Sequence, residues 1–263
     1  MKCPGKNSIY KCFWKGEDCG FGGVAILIAE KWIDKVISIT RIDSRLISIR
    51  ILNGKNINIF SIYAPQTGRS QEEKDKFYDK LLGNLTAVPD NEFLLVCGDF
   101  NGHVGQDSNG FDGVHGNLGY GSRNAEGIRL LDLCVALDLA ITNTFFTKSQ
   151  NKLIPYKSGH ASTQVDYILV RRPVLKLVCD TKVIGGEECI TQHKLLISDI
   201  NIKTIRHKPR IAYPKLRIWK LKSADTRSDF ECAVSETALP TDAHGGVEGI
   251  WTSISKGLLN ACE

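Results

Sequence analysis

The sequence predicts an α/β domain. Three observations carry this: continuous apolar runs of strand length at 23–29 (GVAILIA) and 93–97 (FLLVC), a strand-turn-strand signal around Asn53-Gly54, and apolar residues at helical spacing between the strands. Taken in order, 23–29 is a buried strand and 45–52 is another, with Ile47, Ile49 and Ile51 on one face. Asn53-Gly54 is the strongest short hairpin signal and returns the chain antiparallel into 56–63. Ser70, followed by Glu72 and Glu73, opens a helix whose stripe of Phe77, Leu81 and Leu85 faces the core. Strands come next at 93–97, 165–170, 175–183 and 195–202, with a second helix at 126–139. The glycine-rich stretch 102–121 reads as a long ordered loop, a length that is often functional. Beyond Ile202 the periodic strands stop, and 225–238 and 247–262 read as short amphipathic helices. This places a domain over 1–202, a basic linker over 203–222 and a helical tail over 223–263, with no internal repeat.

Composition narrows the class. With 263 residues and 42% apolar content, the chain suits one large domain plus an appendage and is not a disordered sequence. Its nine cysteines are odd in number and scattered, without the paired spacings of metal knuckles or secreted scaffolds. They read as reduced thiols that serve mainly in packing, in an intracellular protein. The opening MKCPGKNSIYKC lacks the apolar core of a signal peptide, and no run reaches the roughly 20 apolar residues that span a bilayer, so a soluble, non-secreted chain with no membrane partner is expected. The net charge of +5 is unevenly spread: eight lysines and arginines and no acidic residue lie within 203–222, interleaved with His207, Tyr213 and Trp219. Such a stripe fits a polyanion contact through residues such as Lys208 and Arg210. It equally fits a solvated linker broken by Pro209 and Pro214. A polyanion contact would weaken steeply with salt as counterions are released.

Chemistry-bearing residues fall at four places where a strand ends or turns. Tyr63 closes a strand in SIYAPQ, and Pro65 bends the chain away so that the phenol can face a cleft; a half-buried core tyrosine is the plain alternative. In GDFNGHVG, Asp99 and Asn101 come after a buried strand among glycines, and either serve a site or only tie down their own backbone as an Asx turn. Asp166, in VDYILV, is a carboxylate among strong strand formers, costly unless paired. His193, in TQHKLL, stands at a strand mouth where it can bond a strand aspartate and still face a ligand. Together they suit phosphodiester hydrolysis. In that reading Asp99 orients and deprotonates water, Asn101 donates an amide hydrogen to the phosphate, His193 held by Asp166 stabilises the phosphoryl oxygen, and Tyr63 donates from the other side.

The ordered set IYAPQ, GDFNGHVG, VDYILVRR and TQHKLL resembles the endonuclease/exonuclease/phosphatase superfamily. It is especially similar to the apurinic-type endonuclease domain that opens the reading frame of non-LTR retrotransposons of the RTE kind. The resemblance covers roughly Ile9 to Ile202, and the tail looks like the segment that precedes reverse transcriptase. It implies a four-layer α/β sandwich of two packed mixed sheets flanked by helices, Mg²⁺ as cofactor with no small-molecule cofactor, DNA as partner, a nuclear location, and nicking that leaves a 3′ hydroxyl for reverse transcription. Asp99, Asn101, Asp166 and His193 match its catalytic positions and Tyr63 its active-site tyrosine, with Gln66, Tyr156 and Ser158 beside the substrate.

Departures from that pattern carry their own expectation. The family opens with a strand bearing an asparagine and, later, one ending in a metal-binding glutamate; neither is found, and residues up to Lys15 resemble the family's segment just after that glutamate. Glu17 and Asp18, in a polar turn, are not taken as replacement ligands, so no metal ligand is assigned. Gln66 stands in place of an asparagine, Gln192 of an aspartate and Pro155 of a threonine. The chain is therefore expected to be N-terminally truncated, marginal in stability because ladder edges are left open, and a weak or inactive Mg²⁺-dependent nuclease. Two other readings stay open: a binding remnant that acts through the basic tail, and a phosphatase of inositol phosphates or other small esters.

Overall fold

The computed structural model describes residues 9–17, 22–158, 161–190, 192–202, 222–237 and 254–255. The chain forms two compact units, Met1–Arg206 and His207–Glu263. The first unit is built on a six-stranded mixed sheet. In chain order its strands are β3 (Val36–Asp43), β4 (Leu46–Asn53), β5 (Lys55–Tyr63), β6 (Phe93–Asp99), β7 (Leu139–Ile141) and β10 (Asp166–Arg171), arranged β3-β4-β5-β6-β10-β7. β5 and β6 run parallel, joined by the crossover helix α2 (Gln71–Thr86); the other pairs are antiparallel.

Alternation along the strands sends side chains to two different cores. Phe60, Ile62, Leu94, Val96, Tyr167 and Leu169 pack against α2 and α3 (Ala125–Ala136), which contribute Phe77, Leu81, Leu85, Leu130, Leu131 and Cys134. Each of these large apolar side chains, once buried, stabilises the fold by about 1.5–3 kcal/mol. Ser70 caps α2 by accepting the Glu73 N–H at 3.3 Å, as its position in the sequence predicts. Asn124 caps α3, accepting the Gly127 N–H at 2.8 Å and also the His103 N–H at 2.9 Å, which ties the 102–121 loop to the helix.

The opposite face is covered in two pieces. A hairpin of β1 (Tyr10–Lys15) and β2 (Val24–Ala29), continued by the one-turn α1 (Glu30–Ile33), lays Phe13, Val24, Ile26 and Ile28 on Ile47, Ile49 and Ile51 of β4. A four-stranded antiparallel sheet, ordered β11-β12-β8-β9, covers the other half. Its strands are β8 (Tyr156–Ser158), β9 (Ala161–Thr163), β11 (Val178–Ile190) and β12 (His193–Ile200), and Val178 and Ile200 meet Ile57, Phe93 and Val170. The fold is thus the expected α/β sandwich. Its second layer is divided into two antiparallel sheets, where a single mixed sheet was expected.

Several boundaries differ from the sequence reading, each for a local reason. The helix expected over 126–139 ends at Ala136, because Asp138 turns left-handed (φ 53°) and sends Leu139 into the short strand β7. The strand expected from Leu175 begins only at Val178, since Pro173 opens a 3₁₀ turn over Arg172–Leu177. β1, β3, β8 and β9 were not anticipated. In the second unit the helix α4 (Ala224–Thr237) matches the expected 225–238, and its described side chains are mostly exposed. The basic stripe over 203–221, with Lys208 and Arg210, lies outside the described residues.

Candidate active site

Strand register gathers the acidic residues at one end of the six-stranded sheet. Tyr63, the last residue of β5, is the register partner of Asp99, the last of β6, and Asp99 in turn faces Asp166, the first of β10. Gly98 makes this approach possible: with φ of 150°, a Cβ there would lie 2.0 Å from the Ile62 carbonyl oxygen, so only glycine lets β6 reach its end beside β5.

Past Asp99 the chain is pinned from several sides. The Asn101 N–H donates to Asp99 Oδ1 at 2.8 Å, which is the Asx turn considered for this stretch, but it engages only that carboxylate oxygen. Asn101 sits at φ 48° and donates one of its two side-chain amide hydrogens to the Ala64 carbonyl at 2.8 Å. Below it, the buried Tyr167 hydroxyl lies 2.6 Å from the Gln164 carbonyl and 3.1 Å from that of Gly102, and accepts the Val104 N–H at 3.3 Å. Asn143 clamps the start of β10, donating to the Asp166 carbonyl and accepting the Ile168 N–H, both at 3.0 Å.

His193 enters from the other sheet. It opens β12 opposite Tyr156 of β8, and the Lys194 N–H donates to the Pro155 carbonyl at 2.7 Å, which fixes the strand start. Its Nδ1 lies 2.9 Å from Asp166 Oδ2, leaving Nε2 as the atom that can meet a ligand. The Tyr156 ring packs edge-on at 4.7 Å, and its hydroxyl donates to Gln192 Oε1 at 3.2 Å. On the far side, Gln66 Nε2 donates to the Tyr63 hydroxyl at 3.1 Å, so the phenolic hydrogen can point elsewhere. Tyr63, Gln66, Asp99, Asn101, Asp166, His193 and Tyr156 are thereby brought together. Ser158 lies on β8, but its side chain is outside the described residues.

The electrostatics come from this crowding. Burial, reinforced by the neighbouring Asp166 charge, pushes the Asp99 carboxyl up to about 6, against the lowering pull of the Asn101 N–H and of His193. The hydrogen bond to Asp166 raises the His193 pKa; burial opposes it, and the charges of Asp166 and Asp99 add to it. A carboxyl that holds its proton more tightly than usual therefore stands beside an imidazole biased toward its protonated form.

Sequence reasoning missed three contributors. Arg45 donates to the carbonyls of Tyr63 and Ala64 at 3.3 and 3.5 Å, lies over the Tyr63 ring at 5.2 Å and pairs with Glu73 at 3.2 Å. Its place in a tight turn after Ser44 was the available signal. Asn143 carried no such signal, because its partners are remote in sequence, and two of the three partners of Tyr167, Gly102 and Val104, are remote as well.

Among the described residues no group of three or more His, Cys, Asp or Glu side chains is arranged to hold an ion. Asp99 Oδ1 is committed to Asn101 and Asp166 Oδ2 to His193. Among the described residues these side chains are not grouped as a metal centre, although one oxygen each of Asp99 and Asp166 is left uncommitted by these two contacts.

Sheet order, crossover and the aspartate–histidine pair at the sheet ends define the class: the chain has the fold of the endonuclease/exonuclease/phosphatase superfamily. More particularly, it is similar to craniofacial development protein 2, being 32% identical to the Bos taurus protein over 185 residues that make up 69% of this chain. The chain spans about a third (31%) of the length of that relative. No model of a protein family matches the chain. Two solved structures share the fold. One is the 3′ phosphatase NExo from Neisseria bound to product DNA hairpin, with a TM-score of 0.54, 12% identity, and coverage of 73% of this chain and 80% of that one. The other is the endonuclease domain of TRAS1, a telomere-specific non-LTR retrotransposon, with a TM-score of 0.52, 15% identity, and coverage of 74% and 81%. Among the described residues no helix is long and apolar enough to cross a membrane.

Proposed function

We propose that this chain binds DNA and hydrolyses its phosphodiester bonds slowly, as an attenuated endonuclease of retrotransposon descent. The observation that carries the reading is the 2.9 Å contact between His193 on one sheet and Asp166 on the other, beside Asp99. Asp99, ionised above about pH 6, orients water and takes its proton as the water oxygen attacks phosphorus. Protonated His193 donates from Nε2 to a phosphoryl oxygen, whose charge grows in the transition state, and Asp166 holds the imidazole in place. Asn101 supplies its remaining amide hydrogen, and the Tyr63 hydroxyl donates from the opposite side. The ester oxygen departs and is protonated by solvent. DNA as the substrate is supported by what the fold's neighbours are: a 3′ phosphatase bound to a DNA product and a retrotransposon endonuclease.

Attenuation stems from the donor set. Nucleases of this fold generally depend on a divalent metal, and among the described residues no third acidic, histidine or cysteine side chain joins Asp99 and Asp166 to hold one. Purified protein incubated with supercoiled plasmid and Mg²⁺ tests the reading. Slow nicking that is lost in His193→Ala supports it. Nicking at an ordinary enzymatic rate defeats the attenuation, and absence of both nicking and DNA binding defeats the whole.

A further inference from the structure

Two concavities meet beside Tyr63. The inner one, about 160 Å³, is walled by Ser44, Arg45, Tyr63, Gln66 and Arg69. The outer one, about 680 Å³, runs along the β1–β2 hairpin past Trp14 and Lys15. Glu17 and Gly22 line both, so the two are one groove that leads away from the candidate active site.

The outer floor is made of glycine. A Cβ on Gly16 would touch the Trp14 ring and the Gly22 carbonyl oxygen, each at 3.4 Å, and one on Gly23 would sit 3.2 Å from the Lys15 carbonyl oxygen. Any side chain there would fill the space beside the indole. Trp14 is itself 64% exposed, because its register partner across the hairpin, Ala25, is too small to cover it. The exposed ring is thereby an open wall of the groove, next to Lys15. Arg41 donates from Nε to the Trp14 carbonyl at 3.1 Å, so the strand that presents the ring is fixed from below.

Charge along the groove alternates. Arg45 and Arg69 stand at the Tyr63 end, partly balanced by Glu73 at 3.2 and 3.9 Å. At the elbow Glu17 accepts the Ser44 hydroxyl at 3.1 Å, and beyond it come Lys15 and the open indole. A phosphate is repelled by the Glu17 carboxylate, whereas a base amino group or ring N–H, such as N3–H of thymine, can donate to it. Cation, acceptor, then aromatic face is the order in which a nucleic-acid strand presents phosphate, sugar or base edge, and base face.

Resting on the reading of the Tyr63–His193 site as a phosphodiester site, we infer that this groove takes an unpaired nucleotide flanking the reacting phosphate, with its base stacked on Trp14 and its phosphate on Arg45 and Arg69. The base must be unpaired, because in a duplex both of its faces are covered by neighbouring bases. The groove therefore selects single-stranded or locally opened DNA.

Fluorescence anisotropy at one fixed salt concentration tests this with the full chain, a short labelled single-stranded oligothymidylate, the same strand made abasic, and a blunt duplex. Trp14→Ala weakens binding of the oligothymidylate roughly tenfold, within the 5- to 150-fold that loss of one base–aromatic stack allows. It leaves the abasic strand and the duplex unchanged, and Trp14→Phe recovers most of the loss. Arg69→Ala weakens all three probes and lowers the salt slope by about one. Unchanged thermal melting of Trp14→Ala shows that the fold is intact. Equal affinity of wild type and Trp14→Ala for the oligothymidylate overturns the inference, as does an equal loss on the abasic strand. His193→Ala separates the two readings: it removes nicking but keeps the Trp14-dependent preference for unpaired DNA. If no variant nicks plasmid while that preference persists, the phosphodiester reading fails and the groove stands.

Discussion

The two ends of the six-stranded sheet treat carboxylates in opposite ways. At the end away from the candidate site, Glu92 accepts hydrogen bonds from Asn56 at 2.7 Å, Asn58 at 2.9 Å and Arg50 Nε at 3.1 Å, and a second, closer contact from Arg50 makes that pair two-pronged. Burial works to raise the Glu92 pKa, but those hydrogen bonds outweigh it and hold the carboxyl below its ordinary value. Arg171 closes the same end by donating to the Val88 and Pro89 carbonyls, each at 2.7 Å. At the other end Asp99 and Asp166 face each other across adjacent strands, an arrangement that is destabilising in a sheet. Only the His193 imidazole lies between them and charge balance, and the Asp99 carboxyl is pushed up to about 6. One end is satisfied and adds stability; the other holds unspent charge where a phosphate can meet it.

Substitutions should separate these ends. The largest effect is expected for His193→Ala, which lowers the plasmid-nicking rate at least about 100-fold, the scale of one lost acid–base group, with a smaller drop in the unfolding midpoint than Glu92→Ala gives. Glu92→Ala should do the reverse. It strands Arg50, Asn56 and Asn58 and costs on the order of 2–4 kcal/mol in urea unfolding, while nicking per folded molecule is retained.

Next in size is the pH dependence. Nicking should rise as Asp99 ionises near pH 6 and fall at higher pH as His193 loses the proton that Asp166 helps it hold, giving a bell-shaped profile. The stability contribution of these two groups moves one way only, opposite to that of His103 and His115, whose pKa values burial lowers. Asp99 and His193 have folded-state pKa values above their unfolded ones, so the native chain binds their protons more tightly. The Asp99 contribution is lost between its ordinary 3.8 and about 6, and that of His193 is complete below its ordinary 6.5 and lost as pH rises through its raised folded value. Melting temperature across pH 5–8 checks this, and His193→Asn should flatten the upper part of the curve. The smallest change in stability is expected for Asp99→Asn, which relieves the like-charge neighbours and stabilises the fold by roughly 0.5 kcal/mol at neutral pH, although it also removes nicking.

Much of this was legible in the sequence because it is local or periodic. Ser70 before the Phe77, Leu81 and Leu85 stripe announced α2, Asn53-Gly54 announced the β4–β5 turn, and four strand-end motifs pointed to the residues now found together. What stayed hidden depends on partners far along the chain. β3 is an edge strand without clean alternation, and β8 is three residues defined only by its pairing with β9 and β12. Arg45 gains its place from carbonyls 18 and 19 residues away. The division of the second layer into two sheets could not be read at all, because it lies in what the strands fail to pair with.

The stacking of the four-stranded sheet on the six-stranded one gives the His193–Asp166 contact a mechanical meaning. Its two halves ride on different sheets, and the distance between those sheets is set by the apolar spacer of Phe93, Val170, Val178 and Ile200. A hydrogen bond at 2.9 Å tolerates about half an ångström of slack before it weakens. The interior thus works as a gauge block for the chemistry: a methyl group added to or removed from that spacer would detune the histidine well before it unfolded the chain.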